Sequence, residues 1–509
     1  MSSTSSNNKR IAKNTLLLYF RMFFIMAISL YTSRVVLRTL GVEDYGIYNV
    51  VGGVVAMMGI LNNAMSVSTQ RYLTFEIGTG NMVRLKQVFS VCFSIYLILS
   101  LVLLVLAETI GLWLLNTQMV IPPERMIAAN WVYQFSILSS ICTLVLTPYN
   151  AAIISHEKMN VYAYVSIIEV VMKLAVVYLL LIITQDRLVV YGLLIFVSHF
   201  IVVVIYGIYC LKKFQECRYS FYWEKPLFKE LLSYSGWNLF GSVSGLVKGQ
   251  GLNILLNIFF SPAVNASRGI AYQINAAITQ FFTNFYTAVR PQITKYYAQG
   301  DLENMFRLVF QSSKMSYYLI LLISLPIIIE TPYIIQLWLG QTPEYVVIFT
   351  RLIIVISAVD SMAAPLMTTA HATGNIKLYQ SLVGTMVIMN VPLSYLFLKY
   401  GASPVAVFEI SLAISVICLF VRLWIVKRLL LFPVKDYVTK VFGTTMLVTI
   451  VASILPLVSY HLLDETFVGV ASVCVITILS TITAIYMIGL NPTERFFVNS
   501  LIKKKLHRK

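Results

Sequence analysis

The sequence predicts an all-α polytopic integral membrane protein with about 14 transmembrane helices, arranged as two six-helix bundles in parallel repeat and two further C-terminal helices. Three observations predict it. Of 509 residues, 58% are hydrophobic and only 12% charged, with a mean hydropathy of +0.80, a composition that excludes a soluble globular chain. The apolar residues fall into stretches of roughly 20 or more, the length that crosses about 30 Å of hydrocarbon. Short segments also recur in the same order at a spacing of about 220 residues.

Taken in order, the first stretch, 12–40, follows Lys9, Arg10 and Lys13 and carries Arg21 inside it. It is long and lacks a small-x-small cleavage site, so it reads as a retained helix and not a signal peptide. The second, 44–72, bears a polar stripe of Tyr45, Asn49, Gly53, Ala56, Gly59, Asn63, Ser66 and Gln70 at helical steps of three and four. Stretches 84–115, 123–150, 158–184 and 188–212 complete the first bundle. In the fifth, Glu169 and Lys173 stand four apart in the order that favours an ion pair. The seventh, 228–260, has Gly241, Gly245 and Gly249 at the spacing of close helix packing, with Lys248 beside the last glycine. The eighth, 262–290, carries Arg268, Tyr272, Asn275, Thr279, Thr283, Tyr286 and Arg290 on one face. Stretches 303–330, 343–370, 376–399 and 403–430 complete the second bundle, and 437–462 and 466–489 form the appended pair. The resulting division is 1–214, 215–430, 431–490 and a basic tail, 491–509, whose KKKLHRK end suits lipid headgroups.

The formal charge of +17 is mostly topology. Alternate connections collect 27 Lys and Arg, against six on the other side: Arg34, Arg38, Arg125, Arg187, Arg268 and Lys399. That asymmetry places both termini in the cytoplasm and leaves no nucleic-acid surface to explain. The six cysteines are scattered without a CxxC pair and the five histidines without HxxxH or HExxH spacing. Neither a metal nor a cofactor site follows.

The repeat is explicit. Gln70 to Phe89 resembles Val289 to Phe310, matching Arg71 to Arg290 and Gly80 to Gly300; HEKMN at His156 matches HATGN at His371; Gly46-Ile47 matches Gly269-Ile270. Six spans separate the copies, so they share one orientation.

A polar side chain inside hydrocarbon must face protein or water. The stripes on spans two and eight therefore predict a central aqueous cavity lined by Asn49, Asn63, Tyr272, Asn275, Thr279 and Thr283; packing through small and polar residues is the alternative. The cations on spans one, two, seven and eight, Arg21, Arg34, Arg38, Lys248, Arg268 and Arg290, meet almost no acid except Glu43 and Asp44 in the first outer loop. A cavity so lined attracts an anion, and arginine suits phosphate through its two parallel donors. Glu169, Asp360 and Glu409 are the intramembrane acids that could exchange a counter-ion, and Asp360 stands in the same span as Arg351.

The runs SRVVLRTLGVEDYGIYNVVGG (Ser33 to Gly53) and NIFFSPAVNASRGIAYQINAA (Asn257 to Ala277) resemble the Wzx-type polysaccharide flippases of the multidrug/oligosaccharidyl-lipid/polysaccharide (MOP) superfamily, over essentially the whole chain. The resemblance implies a V-shaped, MATE-like transporter in the bacterial inner membrane. It would flip an undecaprenyl-diphosphate-linked oligosaccharide from the cytoplasmic to the periplasmic leaflet for O-antigen, lipopolysaccharide or other surface-polysaccharide synthesis. It carries a cationic lumen onto Arg21, Lys248, Arg268 and Arg290, and implies no catalysis. The implied partners are the lipid-linked glycan, membrane lipids, a proton or sodium counter-ion, and the polysaccharide polymerase and chain-length machinery. A MATE-like drug antiporter would favour an acidic cavity, and a glycan polymerase or ligase would need a sizeable outer loop, whereas the outer connections here are short.

Overall fold

A computed structural model of the chain describes residues 2–56, 59–119, 121–183, 185–260, 262–496 and 499. Every element among them is helical. The side chains of Arg34 and Asn49 lie outside the described residues, as does the tail beyond residue 499.

Helix α1, Ser2–Ala56, is broken at Gly41, whose φ of 83° and ψ of 169° are not helical. The break falls in the connection expected between the first two stretches. Helices α2 (Gly59–Thr79), α3 (Met82–Leu106), α4 (Met126–Ser155), α5 (Met159–Ile182) and α6 (Arg187–Lys213) follow. After α7 (Lys225–Phe259) and α8 (Pro262–Ala298) come α9 (Leu302–Ile329), a short α10 (Thr331–Leu339) and α11 (Val346–Ala372). The next span is split into α12 (Lys377–Ile388) and α13 (Asn390–Lys399), and α14 (Ala406–Leu430) ends the second repeat. A one-turn α15 (Val434–Tyr437), α16 (Thr444–Leu462) and α17 (Phe467–Ala484) close the chain.

Eleven segments are long and apolar enough to cross a membrane. The three expected spans missing from that set are the second, seventh and eighth. The seventh and eighth lie on helices of 35 and 37 residues, so length is sufficient and polarity is what excludes them; the second, 44–72, includes residues 57 and 58, which lie outside the described residues. Low hydropathy thus marks the seventh span, with its intramembrane lysine, and the eighth, with its polar stripe.

The chain forms two compact units. Unit one is Met1–Ser242 with Thr294–Asp301, and unit two is Val243–Ile293 with Leu302–Lys509. Unit one is packed around Tyr96, Val132, Tyr133 and Ile137. A π-helical turn, Ala107–Gly111, interrupts the third span. Tyr133 donates its hydroxyl to the Ala107 carbonyl at 2.9 Å, satisfying an acceptor at that turn. Its hydroxyl passes so close to Gly111 that a Cβ there would lie 1.9 Å away. Unit two is packed around Phe349 and Phe408, stacked with ring centroids 4.4 Å apart, and around Ile320 and Ile354. The turns matched by the repeat agree in backbone: Gly80 and Gly300 both end a helix in the left-handed region, at φ of 75° and 73°.

The GxxxG reading of α7 needs correction. A Cβ at Gly245 or Gly249 would meet nothing within 4 Å, so neither serves a close helix contact. The tight position is Gly251, where a Cβ would lie 2.6 Å from a Val391 methyl.

Charges are buried in pairs. In unit one the Glu157 carboxylate, 1% exposed, receives Arg10 at 2.7 Å and also pairs with Lys295. Arg125 holds Asp44 and Asp186 together at 2.6 and 2.7 Å. Burial opposes the charge on Asp186, but Arg125 and the backbone N–H groups of Val189 and Leu188 outweigh it and hold that carboxyl below its ordinary value. In unit two, Lys314 of α9 meets Glu494 at 2.9 Å, both side chains 8% exposed. Lys314 also donates to the carbonyl of Gly489 at 3.2 Å, at the end of another π-helical turn.

Removing one partner of that pair leaves a buried charge uncompensated, at a cost of about 3–5 kcal/mol. Lys314→Met should therefore lower the thermal unfolding midpoint of the purified protein sharply, and Lys314→Met with Glu494→Met should recover part of the loss. Equal losses in the single and double variants would show that the charge pair is not what matters there.

Candidate functional site

A set of ionisable side chains inside unit two is built by four helices. Helix α14 supplies Cys418 and Arg422, four apart and so on one face; α11 supplies Asp360, α12 supplies Tyr379 and α7 supplies Lys248. Arg422 donates from Nε to the Tyr379 hydroxyl at 3.0 Å, and its Nη1 lies 3.8 Å from Asp360 Oδ1. Lys248 is within electrostatic reach of Asp360, Cys418 and Arg422. Tyr286 stands one turn before Arg290 on α8. Its hydroxyl donates to the Ala364 carbonyl at 2.9 Å and is bonded to Thr368. Behind Tyr379, His371 presents its ring edge-on at 5.7 Å and meets the Gln380 amide at 3.4 Å.

Two cations, Lys248 and Arg422, thus share one carboxylate, Asp360. The excess positive charge can attract an anion, and the guanidinium can present parallel donors to phosphate oxygens.

The other expected site residues are placed elsewhere. Arg268 donates to the Gly249 carbonyl at 2.7 Å and to Asn253 Oδ1 at 3.1 Å, and lies 4.3 Å over the Tyr272 ring. It joins α7 to α8 and is bonded within that hairpin. Asn275 is half-buried with its Oδ1 lacking a partner. Thr279 and Thr283 turn their hydroxyls onto carbonyls one turn back, at 2.9 Å each. In unit one, Arg21 lies 4.4 Å over Tyr162, and Glu169 accepts from Lys173 at 2.7 Å with His199 at 3.8 Å. Arg38, Asn63 and Glu409 are exposed.

Arg422 is the site residue the sequence does not single out, since it counts among the 27 cations of the connections; Asp360 is singled out, but with Arg351 as its neighbour in the span. In the structure Arg351 donates to the carbonyls of Ile328 and Ile329, at 2.9 and 3.5 Å, and Asp360 faces Arg422 instead. The available signal was the continuous apolar run SLAISVICLFVRLWIV, which places Arg422 inside a helix and not at its end.

No protein-family model matches the chain, and no curated protein does. Its fold is found in solved transporter structures. An outward-facing multidrug resistance MATE family transporter of the MOP superfamily is 14% identical, with a TM-score of 0.70 over 84% of this chain and 97% of its own. A MOP superfamily transporter from Pyrococcus furiosus, described as having a binding pocket of reverse polarity that suggests a different function, is 15% identical, with a TM-score of 0.68 over 83% and 96%. A Vibrio cholerae MATE transporter is 16% identical, with a TM-score of 0.65 over 84% and 98%. The chain therefore has the MATE-like fold and is a polytopic membrane protein.

Hydrogen bonds from a charged donor contribute about 1.5–3 kcal/mol each. Arg268→Ala should accordingly lower the unfolding midpoint of the protein while leaving its affinity for small anions within about twofold (a few tenths of a kcal/mol). A large loss of anion affinity at unchanged stability would move Arg268 into the binding cluster.

Proposed function

We propose that this chain is a transporter that moves an undecaprenyl-diphosphate-linked oligosaccharide from the cytoplasmic to the periplasmic leaflet of a bacterial inner membrane by alternating access, for surface-polysaccharide synthesis. The observation that carries the reading is the approach of two cations, Lys248 and Arg422, to a single carboxylate, Asp360, inside unit two. A drug cation would be repelled by that excess charge, whereas a diphosphate would be drawn to it. The reverse polarity described for the pocket of the Pyrococcus furiosus transporter supports the idea that this fold serves cargoes other than cationic drugs.

The residues divide the work by chemistry. Arg422 offers N–H donors and Lys248 and Arg290 offer charge to the diphosphate. Tyr272, Asn275, Thr279 and Thr283 supply amide and hydroxyl groups suited to sugar, while the polyprenyl tail stays in lipid. No bond is made or broken, so the protein acts as a carrier. Both termini face the cytoplasm in this reading, in keeping with the charge asymmetry of the connections. Glu169, Asp360 and Glu409 are the acids available for counter-ion exchange with a proton or sodium ion, and the polymerase and chain-length machinery would receive the product.

The test is transbilayer movement of a polyprenyl-diphosphate oligosaccharide in vesicles containing the purified protein, read by access of an impermeant glycosidase to the glycan. Movement should exceed that of empty vesicles and be abolished by Lys248→Ala and by Arg422→Ala with normal insertion. Full activity in both variants would remove the basic-site reading, and exchange of cationic drugs for protons or sodium in place of lipid movement would establish the antiporter.

A further inference from the structure

Arg422 is held by one corner. Its Nε is committed to Tyr379, itself 2% exposed, so the guanidinium cannot swing freely. Its Nη1 is sealed from solvent and makes no hydrogen bond. The acid beside it stands back: Asp360 Oδ1 is 3.8 Å away, beyond hydrogen-bonding distance. The Asp360 side chain is 46% exposed, against 14% for Arg422. The cation is fixed and the anion is loose. A pair serving only to neutralise a buried charge would be expected to close to a short, doubly hydrogen-bonded contact like those of Arg125 with Asp44 and Asp186.

We infer that Asp360 is a tethered competitor for the substrate anion. While the site is empty, its carboxylate offsets the charge of Arg422 and Lys248 at a distance, leaving the Nη1 donor unclaimed. A phosphate that takes the place of this carboxylate gives the covered Nη1 donor the acceptor it lacks. Two anions then share one set of cations, and their mutual repulsion favours release of the substrate once access has changed. Asp360 thus lowers affinity and raises turnover, and the cluster binds without trapping its cargo. The inference rests on the anionic-substrate reading given above and specifies how that site lets go.

The experiment uses the full-length purified protein and inorganic pyrophosphate as the probe of the diphosphate group, with binding followed by calorimetry at low ionic strength and unfolding midpoints recorded alongside. Asp360→Asn, which keeps the shape and removes the charge, should bind pyrophosphate about tenfold more tightly, a difference of about 1.4 kcal/mol. In vesicles the same variant should move the lipid-linked glycan more slowly. Asp360→Glu carries the carboxylate one methylene closer to Arg422 and should bind the probe more weakly than the wild type, a check that does not depend on the neutral variant. Arg422→Lys, which loses the fixed Nη1 donor, should bind at least tenfold more weakly, again about 1.4 kcal/mol. Unchanged or weakened binding in Asp360→Asn, with wild-type stability, overturns the tethered-competitor role and leaves the anionic-substrate reading standing. Absence of binding in the wild type and every variant removes both.

Discussion

Hydrocarbon offers no hydrogen-bonding partner, so a polar group carried into the membrane must face the protein or water. That constraint accounts for most of the polar detail. Serine and threonine hydroxyls turn back onto carbonyls one turn earlier, as at Ser94, Thr350 and Thr477. Where helices are interrupted by π turns, a buried tyrosine or lysine meets the carbonyls there, as Tyr133 does at Ala107 and Lys314 does at Gly489. Where α12 gives way to α13, Asn390 donates to the Val387 carbonyl at 2.9 Å and accepts from Ser411 at 2.8 Å, so the break is tied to α14.

Charges obey the same rule more strictly, because an unpaired ion in a low-dielectric interior costs far more than an unpaired hydroxyl. Glu157, Lys314 and Glu494 are closely paired, and each pair joins elements distant in sequence. The cluster of Lys248, Asp360 and Arg422 departs from that pattern, with excess positive charge and a carboxylate that does not close on its partner. A cation cluster whose carboxylate stands off its partner is where function is to be sought.

Among the elements, the matched glycine turns were legible from sequence. Gly80 and Gly300 were matched by position alone and share one backbone conformation, because a left-handed helix end admits little but glycine. The ion pair of Glu169 and Lys173 was legible because four residues along a helix is a fixed distance. The GxxxG motif misled, because spacing identifies a smooth face without saying whether another helix lies against it: Gly245 and Gly249 face open space, and Gly251 carries the close contact.

The sequence by itself determined that the chain is built of long apolar helices, roughly where eleven membrane-length segments lie, and that its intramembrane charges are mostly basic. These follow from composition, hydrophobic length and local periodicity, which are properties of a single helix. Only the tertiary structure decided that Arg268 is bonded within its own hairpin, that Arg422 belongs to the basic cluster, and that Asp360 faces Arg422 and not Arg351. The physical reason is that helical spacing sets the face a side chain occupies, while the neighbour across that face is chosen by the packing of helices far apart in the chain.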